Sequence, residues 1–180
     1  MNGGVCLCVE IDSTRIDRRV ETGYCDERSD NLDEALDRLL AARDKKEALS
    51  IGLLGNIAEV LPEMIKRGVI PDVLTDQTSA HDLDVGYIPI GHTTESAAAM
   101  LASDPEGYRN SVLDAMQQHI QAMLDMKAAG AVTFDYGNNL RGQVSDHRGM
   151  TEAFSIPGFV PEFIRPLFCK GSGPFRWAAL

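Results

Sequence analysis

Four short apolar segments alternate with longer segments of helical period along most of the chain. The apolar segments cover residues 5–12, 48–56, 71–76 and 131–139, and each ends in small or polar residues, which is typical of buried strands. Between them, apolar residues recur three and four positions apart, which predicts helices over residues 32–40, 58–68 and 104–127. Beyond Arg141 the pattern dissolves, and we predict no regular element there.

The sequence also marks the ends of these helices. Asp30 or Asn31 can cap the first helix, Gly68 ends the second, and Asp104 followed by Pro105 opens the longest. The longest helix carries one apolar stripe, which we assign to core packing: Val112, Ala115, Met116, His119, Ile120 and Met123. We expect His119 to be packed and hydrogen-bonded rather than to act as a ligand.

Strand and helix in alternation predict an α/β fold, with a parallel sheet flanked by crossover helices. In such sheets ligands bind just beyond the carboxyl ends of the strands. Those ends are small or polar in all four predicted strands: residues 10–12, 55–56, 76–79 and 135–139. The sequence therefore predicts a ligand-binding edge that includes the stretch LTDQTSAHD, residues 74–82.

Composition and charge narrow the choice of ligand. The chain has 180 residues, enough for one domain with a real core, and 44% of them are hydrophobic. The formal net charge of −10 opposes binding to nucleic acid or to an anionic membrane. No apolar run approaches bilayer length and no signal peptide is visible, so we expect a cytoplasmic protein.

The four cysteines are Cys6, Cys8, Cys25 and Cys169. The Cys-x-Cys spacing lacks a second pair, so we expect no metal site and interpret these residues as reduced thiols. Lys170 follows Cys169, but a sequence neighbour is poor evidence for a reactive thiol.

A dinucleotide is one candidate ligand. In dinucleotide-binding domains a carboxylate at a strand end binds the adenosine ribose, and Glu10 or Asp12 is placed for that role. However, the phosphate-binding motif G-x-G-x-x-G does not occur in the chain. Either this is not a dinucleotide site, or the chain begins after that loop.

Several longer strings make the sequence resemble urocanate hydratase (urocanase). They include MNGGVCLCVEID, VLPEMIKRGVIPDVLTDQTSAHD, FDYGNN and FSIPGFVPEFIRPLFCKGSGPFRWAAL. The resemblance implies a Rossmann-like NAD-binding domain at residues 1–150, without the family's first strand and glycine-rich phosphate loop. Residues 151–180 would then lead back towards another domain of a longer parent enzyme.

Urocanases add water to urocanate, giving 4-imidazolone-5-propionate in histidine degradation, with tightly held NAD+ acting as an electrophile. By resemblance, the cofactor contacts are Glu10, Arg15, Asn56, Ile57, Gln77, Thr78, Ser79, Ala80, His81, Tyr87, Ile88 and Tyr136. We expect Ile57 to contact NAD through its backbone. Arg176 is the expected partner of the urocanate carboxylate. The family's active-site cysteine lies downstream, so no catalytic residue is expected in this chain.

Two other functions stay open at this point. The chain can be a non-catalytic module that binds nucleotides or small anions, which the missing phosphate loop favours. An ordinary NAD dehydrogenase is less suited, because no His-Asp or Tyr-Lys arrangement is visible. For the urocanase reading we expect the chain alone to be inactive and to bind NAD weakly or not at all. We also expect a homodimeric parent and an exposed sheet edge beside the first strand.

Overall fold

The computed structural model describes residues 3–172, and two parallel sheets organise them. The strands are β1 (Val5–Glu10), β2 (Glu27–Ser29), β3 (Leu49–Leu54), β4 (Val73–Asp76) and β5 (Val132–Asp135). The helices are α1 (Ser13–Glu21), α2 (Leu32–Lys45), α3 (Ile57–Lys66), α4 (Thr94–Ser103), α5 (Pro105–Ala128), α6 (Leu140–Arg148) and α7 (Arg165–Cys169). A 3₁₀ helix (Thr151–Ser155) and a π-helix (Val160–Ile164) lie between α6 and α7.

One sheet has the order β1-β3-β2 and the other pairs β4 with β5, and every pairing is parallel. The predicted parallel sheet flanked by helices is therefore confirmed, although it is divided into two parts. Within the described residues, β1, β2, β4 and β5 each have a neighbouring strand on one side only.

Helices cover the sheets through the predicted apolar faces. Buried residues of α2, including Leu36 and Leu39, belong to the same core cluster as Ile51 and Leu53 of β3. On the other side of β3, α1 comes so close that a Cβ at Gly52 would lie 2.7 Å from the Ile16 side chain. Glycine at this position therefore allows the helix to pack directly on the strand.

The longest helix, α5, forms the centre of the remaining core. All six residues of its predicted stripe are buried. The Asp104 side chain accepts a hydrogen bond from Gly107 N at 3.0 Å, which confirms the predicted cap. The N-cap of α2 is Asn31 rather than Asp30, because the Asn31 side chain accepts a hydrogen bond from Glu34 N at 3.1 Å.

The expectation of irregular chain beyond Arg141 is wrong. Helix α6 runs from Leu140 to Arg148, and three shorter helical segments follow it. Only Leu140 and Val144 of α6 are buried, so the helix shows too little apolar periodicity to be recognised. No helix within residues 3–172 combines the length and the apolar content that crossing a bilayer requires.

Candidate functional site

Strand pairing aligns the polar strand ends as predicted. Glu10 of β1 pairs with Leu54 of β3, and Asp76 of β4 pairs with Asp135 of β5. Each strand then leads into a loop or helix start whose backbone groups are held by side chains. Side-chain hydrogen bonds are most numerous in the loops that follow β4 and β5.

The buried Asp76 carboxylate joins the loops that follow β4 and β5. Its Oδ1 accepts hydrogen bonds from Thr78 N at 3.1 Å and from Thr78 Oγ1 at 2.5 Å. Its Oδ2 accepts a hydrogen bond from the side-chain amide of Asn138, and the same amide donates to Thr78 O at 2.7 Å. We call Asp76, Thr78 and Asn138 the loop clasp, because they fix the two loops to each other.

The rest of the β4 loop folds tightly on itself. Asp82 N donates to Ser79 O at 3.3 Å, and Gly86 N donates to Asp82 O at 3.0 Å. A Cβ at Gly86 would lie 1.9 Å from Ser79 O, so only glycine fits there. Gln143 of α6 holds the middle of the loop by donating to Ala80 O at 3.2 Å. Hydrogen bonds within the loop, the close approach at Gly86 and the contact from Gln143 therefore fix the loop conformation.

This loop presents alternate side chains to solvent. Gln77, Ser79 and His81 are exposed, Thr78 is half-buried and Ala80 is buried. In the part of the chain that the structure describes, the three exposed side chains form no hydrogen bonds. They form a polar rim that can bind a ligand, and the Ala80 methyl group packs inward beneath them.

At the other sheet, the predicted pair Glu10 and Arg15 lies together. Glu10 Oε1 accepts from the backbone N of Ile11 at 3.0 Å and of Asp12 at 3.2 Å. Its Oε2 lies 4.0 Å from Arg15 Nη1 and 3.4 Å from Arg19 Nη1. The carboxylate is thus held in place at the strand end, with two guanidinium groups beside it.

Asn56 follows β3 and is buried at the start of α3. Its Oδ1 accepts from Ala58 N at 3.0 Å, and its Nδ2 donates to Ile88 O at 2.9 Å and to Pro89 O at 3.3 Å. The structure therefore brings together three of the predicted contacts, Asn56, Ile57 and Ile88. The Asn56 amide is already occupied, so it positions the segment around Ile88 by direct contact.

Tyr87 lies inside the core rather than on the surface. Its hydroxyl is 3.2 Å from His119 Nδ1, and its carbonyl accepts from Tyr108 Oη at 2.9 Å. Burial raises the pKa of the Tyr87 phenol and lowers the pKa of His119, with the Asp76 carboxylate partly opposing the change at the histidine. His119 is thus the packed, hydrogen-bonded residue that the sequence predicts.

Tyr136 extends from the end of β5 and is 50% exposed. Its ring stacks on Phe159 with 5.4 Å between ring centroids. The Phe159 ring packs in turn on Phe134 of β5. An aromatic surface therefore lies at the end of β5, and the segment after α6 forms part of it. Arg176 lies outside the described residues.

The predicted contact list omitted several residues that build the site. Asn138 closes the loop clasp, and Arg141 pairs with the buried Asp135 at 2.5 Å while donating to Ile156 O at 2.7 Å. The only sequence signal for these residues was their position after an apolar segment. Hydrogen bonds that span sixty or so residues leave no local pattern.

A family model described as the urocanase Rossmann-like domain matches residues 1–163. The chain belongs to the urocanase family. The match covers every residue of the loop clasp, the polar rim and the Glu10 site, and so confirms the family resemblance of the sequence. A Rossmann-like urocanase domain is also compatible with nucleotide binding, which agrees with the ligand edge described above.

An open groove between α3 and α5 is lined by Glu59, Glu63, Lys66, Gln118 and Gln121, among others. Among residues 3–172, no group of three or more histidine, cysteine, aspartate or glutamate side chains is arranged to hold a metal ion.

Proposed function

We propose that this chain is the NAD-binding central domain of a urocanate hydratase, a cytoplasmic hydro-lyase that converts urocanate and water to 4-imidazolone-5-propionate. Family membership supports the enzyme class. The observation that carries the cofactor assignment is the exposed polar rim of Gln77, Ser79 and His81 at the joined ends of β4 and β5. Urocanate is the proposed substrate, and a homodimer is the proposed assembly of the parent enzyme.

The residues present suit a dinucleotide. The fixed Glu10 carboxylate is an acceptor for ribose hydroxyls, and Arg15 beside it adds positive charge at the adenosine end. The polar rim offers an amide, a hydroxyl and an imidazole in a loop that the clasp holds rigid. The half-exposed Tyr136 ring at the end of β5 offers an apolar wall for a flat heterocycle.

When bound, NAD+ supplies an electrophilic nicotinamide ring for the imidazole of urocanate. The residues of this chain hold, orient and shield the reactants. The rigid loop clasp keeps Gln77, Ser79 and His81 at fixed positions, which favours one orientation of the bound partner. The aromatic surface formed by Tyr136 and Phe159 excludes water from one side of the bound reactants. We propose Arg176 as the residue that pairs with the substrate carboxylate.

In our proposal, a segment outside this sequence supplies the phosphate-binding loop and a further parallel strand. Among the described residues β1 and β4 each have a neighbouring strand on one side only, which leaves an edge where a further parallel strand can pair. We therefore expect the isolated chain to have no hydratase activity and little or no affinity for NAD+.

Urocanate consumption, followed by the loss of its ultraviolet absorbance, tests this function. The assay compares the isolated chain with the longer urocanase that contains it, each with added NAD+. In the longer enzyme, Gln77→Ala should lower turnover by about tenfold or more, as expected when a cofactor-orienting hydrogen bond is lost. The matched control is Gln118→Ala, an exposed glutamine on α5 outside the proposed site.

Three results would contradict parts of this proposal. An isolated chain that consumes urocanate would show that no outside segment is needed. Equal turnover of the two glutamine variants would remove the polar rim from the site. A longer enzyme that binds NAD+ yet leaves urocanate unchanged would favour the non-catalytic nucleotide-binding module.

A further inference from the structure

Cys6 and Cys8 form a pair of thiols on one face of β1. Residues two apart in a strand point to the same side, and the two Sγ atoms are 3.6 Å apart. Both side chains are exposed, although they lie in a well-paired strand. Either sulfur can donate its proton to the other, so the pair is an internal S–H···S hydrogen bond. Nothing in the proposed hydratase chemistry uses it.

We propose that Cys6 and Cys8 form a thiol-modification site, at which one of the two sulfurs takes up a low-molecular-weight disulfide as a stable mixed disulfide. The thiolate of one cysteine attacks a sulfur of the small disulfide. A bond forms between these two sulfurs, the original S–S bond breaks, and the released thiolate takes up a proton. The protein sulfur is oxidised, half of the small disulfide is reduced, and excess thiol reverses the step.

The strand geometry explains why the adduct persists. With about 3.3 Å of rise per residue, the Cα atoms of Cys6 and Cys8 are roughly 6.6 Å apart, near the upper limit of about 6.8 Å for a disulfide. Forming a disulfide between Cys6 and Cys8 would also require β1 to bend. All six residues of β1 are held in register with β3, from Val5 opposite Leu49 to Glu10 opposite Leu54. The second thiol therefore donates a hydrogen bond and does not displace the bound group.

The surroundings distinguish this pair from the other two cysteines. Cys25 is buried, and its thiol contacts the carbonyls of Glu27 at 3.3 Å and Ser50 at 3.5 Å. Cys169 is exposed but has no thiol neighbour among the described residues. The hydrogen bond from Cys8 lowers the pKa of the Cys6 thiol to about 7, and accordingly the pKa of Cys8 is raised. The pair thus supplies thiolate near neutral pH.

Incubation of the reduced chain with oxidised glutathione at about pH 7 tests the proposal. Intact-mass and peptide-mapping time courses follow each cysteine. We expect one glutathione per pair, on Cys6 or Cys8, forming on the order of 3–6-fold faster than the adduct on Cys169. The estimate combines a larger thiolate fraction with the lower nucleophilicity of a more acidic thiol. Cys169 thus provides the internal reference in the wild-type chain.

Single variants test the role of the hydrogen bond. Cys8→Ala should bring Cys6 down to the rate of Cys169, because the Cys6 thiolate has lost its donor. In Cys6→Ala, the remaining Cys8 should react no faster than Cys169. Cys8→Ser keeps a hydroxyl donor and should retain part of the advantage of Cys6. Circular dichroism confirms that each variant folds, and the wild-type comparison stands even where a variant does not.

Two results would overturn the proposal. One is modification of Cys6 and Cys8 no faster than Cys169 in the folded wild-type chain. The other is an intrachain disulfide as the main product of the reaction with oxidised glutathione, which is reduced to two glutathione thiols. This product shows a mass loss of two hydrogens and carries no bound glutathione. The thiol reactions use the isolated chain and do not require hydratase activity. Their outcome is therefore independent of whether the proposed hydratase function is correct.

Discussion

At the scale of single residues, the buried contact between Tyr87 and His119 links the segment after the polar rim to the centre of α5. The imidazole is enclosed by the core, and the Asp76 carboxylate is a negative charge that acts on it. Burial disfavours the charged imidazole and lowers its pKa below the usual 6.5. His119 therefore stays neutral in the folded chain under conditions where the unfolded chain already binds a proton.

This difference predicts how stability depends on pH. Below about pH 6.5 the unfolded state binds more protons at His119 than the folded state, so the free energy of unfolding decreases as pH falls. One pH unit below that value, His119 lowers the free energy of unfolding by up to about 1.4 kcal/mol. Urea unfolding across this range should show the decrease, and His119→Gln should flatten it because glutamine does not titrate.

His147→Gln is the matched control, since His147 is exposed near the end of α6. Its profile should follow that of the unaltered chain. A decrease that is equally steep in His119→Gln would show that another group is responsible.

Asn138 gives a second prediction at this scale. Its amide bonds both the Asp76 carboxylate and Thr78 O, so Asn138→Ala leaves a buried carboxylate with one partner fewer. We expect a loss of about 1–3 kcal/mol in the free energy of unfolding, measured by urea denaturation. Asn110→Ala, at an exposed position of α5, should change stability by less than about 0.5 kcal/mol. Similar losses in both variants would contradict the role of the clasp.

At the scale of elements, the β4 loop depends on one glycine. Gly86→Ala would place a methyl group 1.9 Å from Ser79 O and 2.6 Å from Asp82 O, so the loop must open. We expect a destabilisation of about 1–3 kcal/mol by thermal unfolding, with the amide signals of Ser79 and its neighbours shifted in NMR spectra. Gly4→Ala has open space around its Cβ and should leave both measurements nearly unchanged.

The sequence predicted the elements that carry an apolar face. All four predicted strands are present, and α2, α3 and α5 lie where the helical period placed them. It did not predict β2, whose residues Glu27, Arg28 and Ser29 are polar and pair only with β3. Helix α6 was missed for a similar reason, because tertiary contacts rather than an apolar stripe hold it.

The candidate site was predictable to a smaller extent. The general rule for parallel sheets places the strand ends at one edge, and the polar residues after β4 and β5 are found there. The clasp between them was not predictable, since it depends on which side chains reach across from distant loops. Which residues contact NAD remains a prediction from family resemblance.

At the scale of the whole molecule, the strands that have a neighbour on one side only among the described residues matter most. Val73 of β4 is 56% exposed, and β1 has a partner on one side only among the described residues. Strand edges of this kind favour pairing with another chain. We therefore expect the isolated chain to self-associate at high concentration.

Sedimentation velocity over a range of concentrations checks this expectation. Val73→Lys places a charge beside the edge of β4 and should weaken self-association by about tenfold, equivalent to roughly 1.4 kcal/mol. Val85→Lys alters a residue of similar size that is 75% exposed in a loop, and should leave association unchanged. A wild-type chain that remains monomeric throughout would contradict the prediction.

The loop clasp also has a consequence for the order in which the molecule folds. Asp76 and Asn138 are 62 positions apart, and helices α4 and α5 lie between them in the chain. Local helices form quickly, whereas contacts between distant positions must wait until the intervening chain is compact. The polar rim should therefore acquire its final shape late, after α5 has docked, and a chain caught before that step would have its helices but no surface able to recognise a ligand.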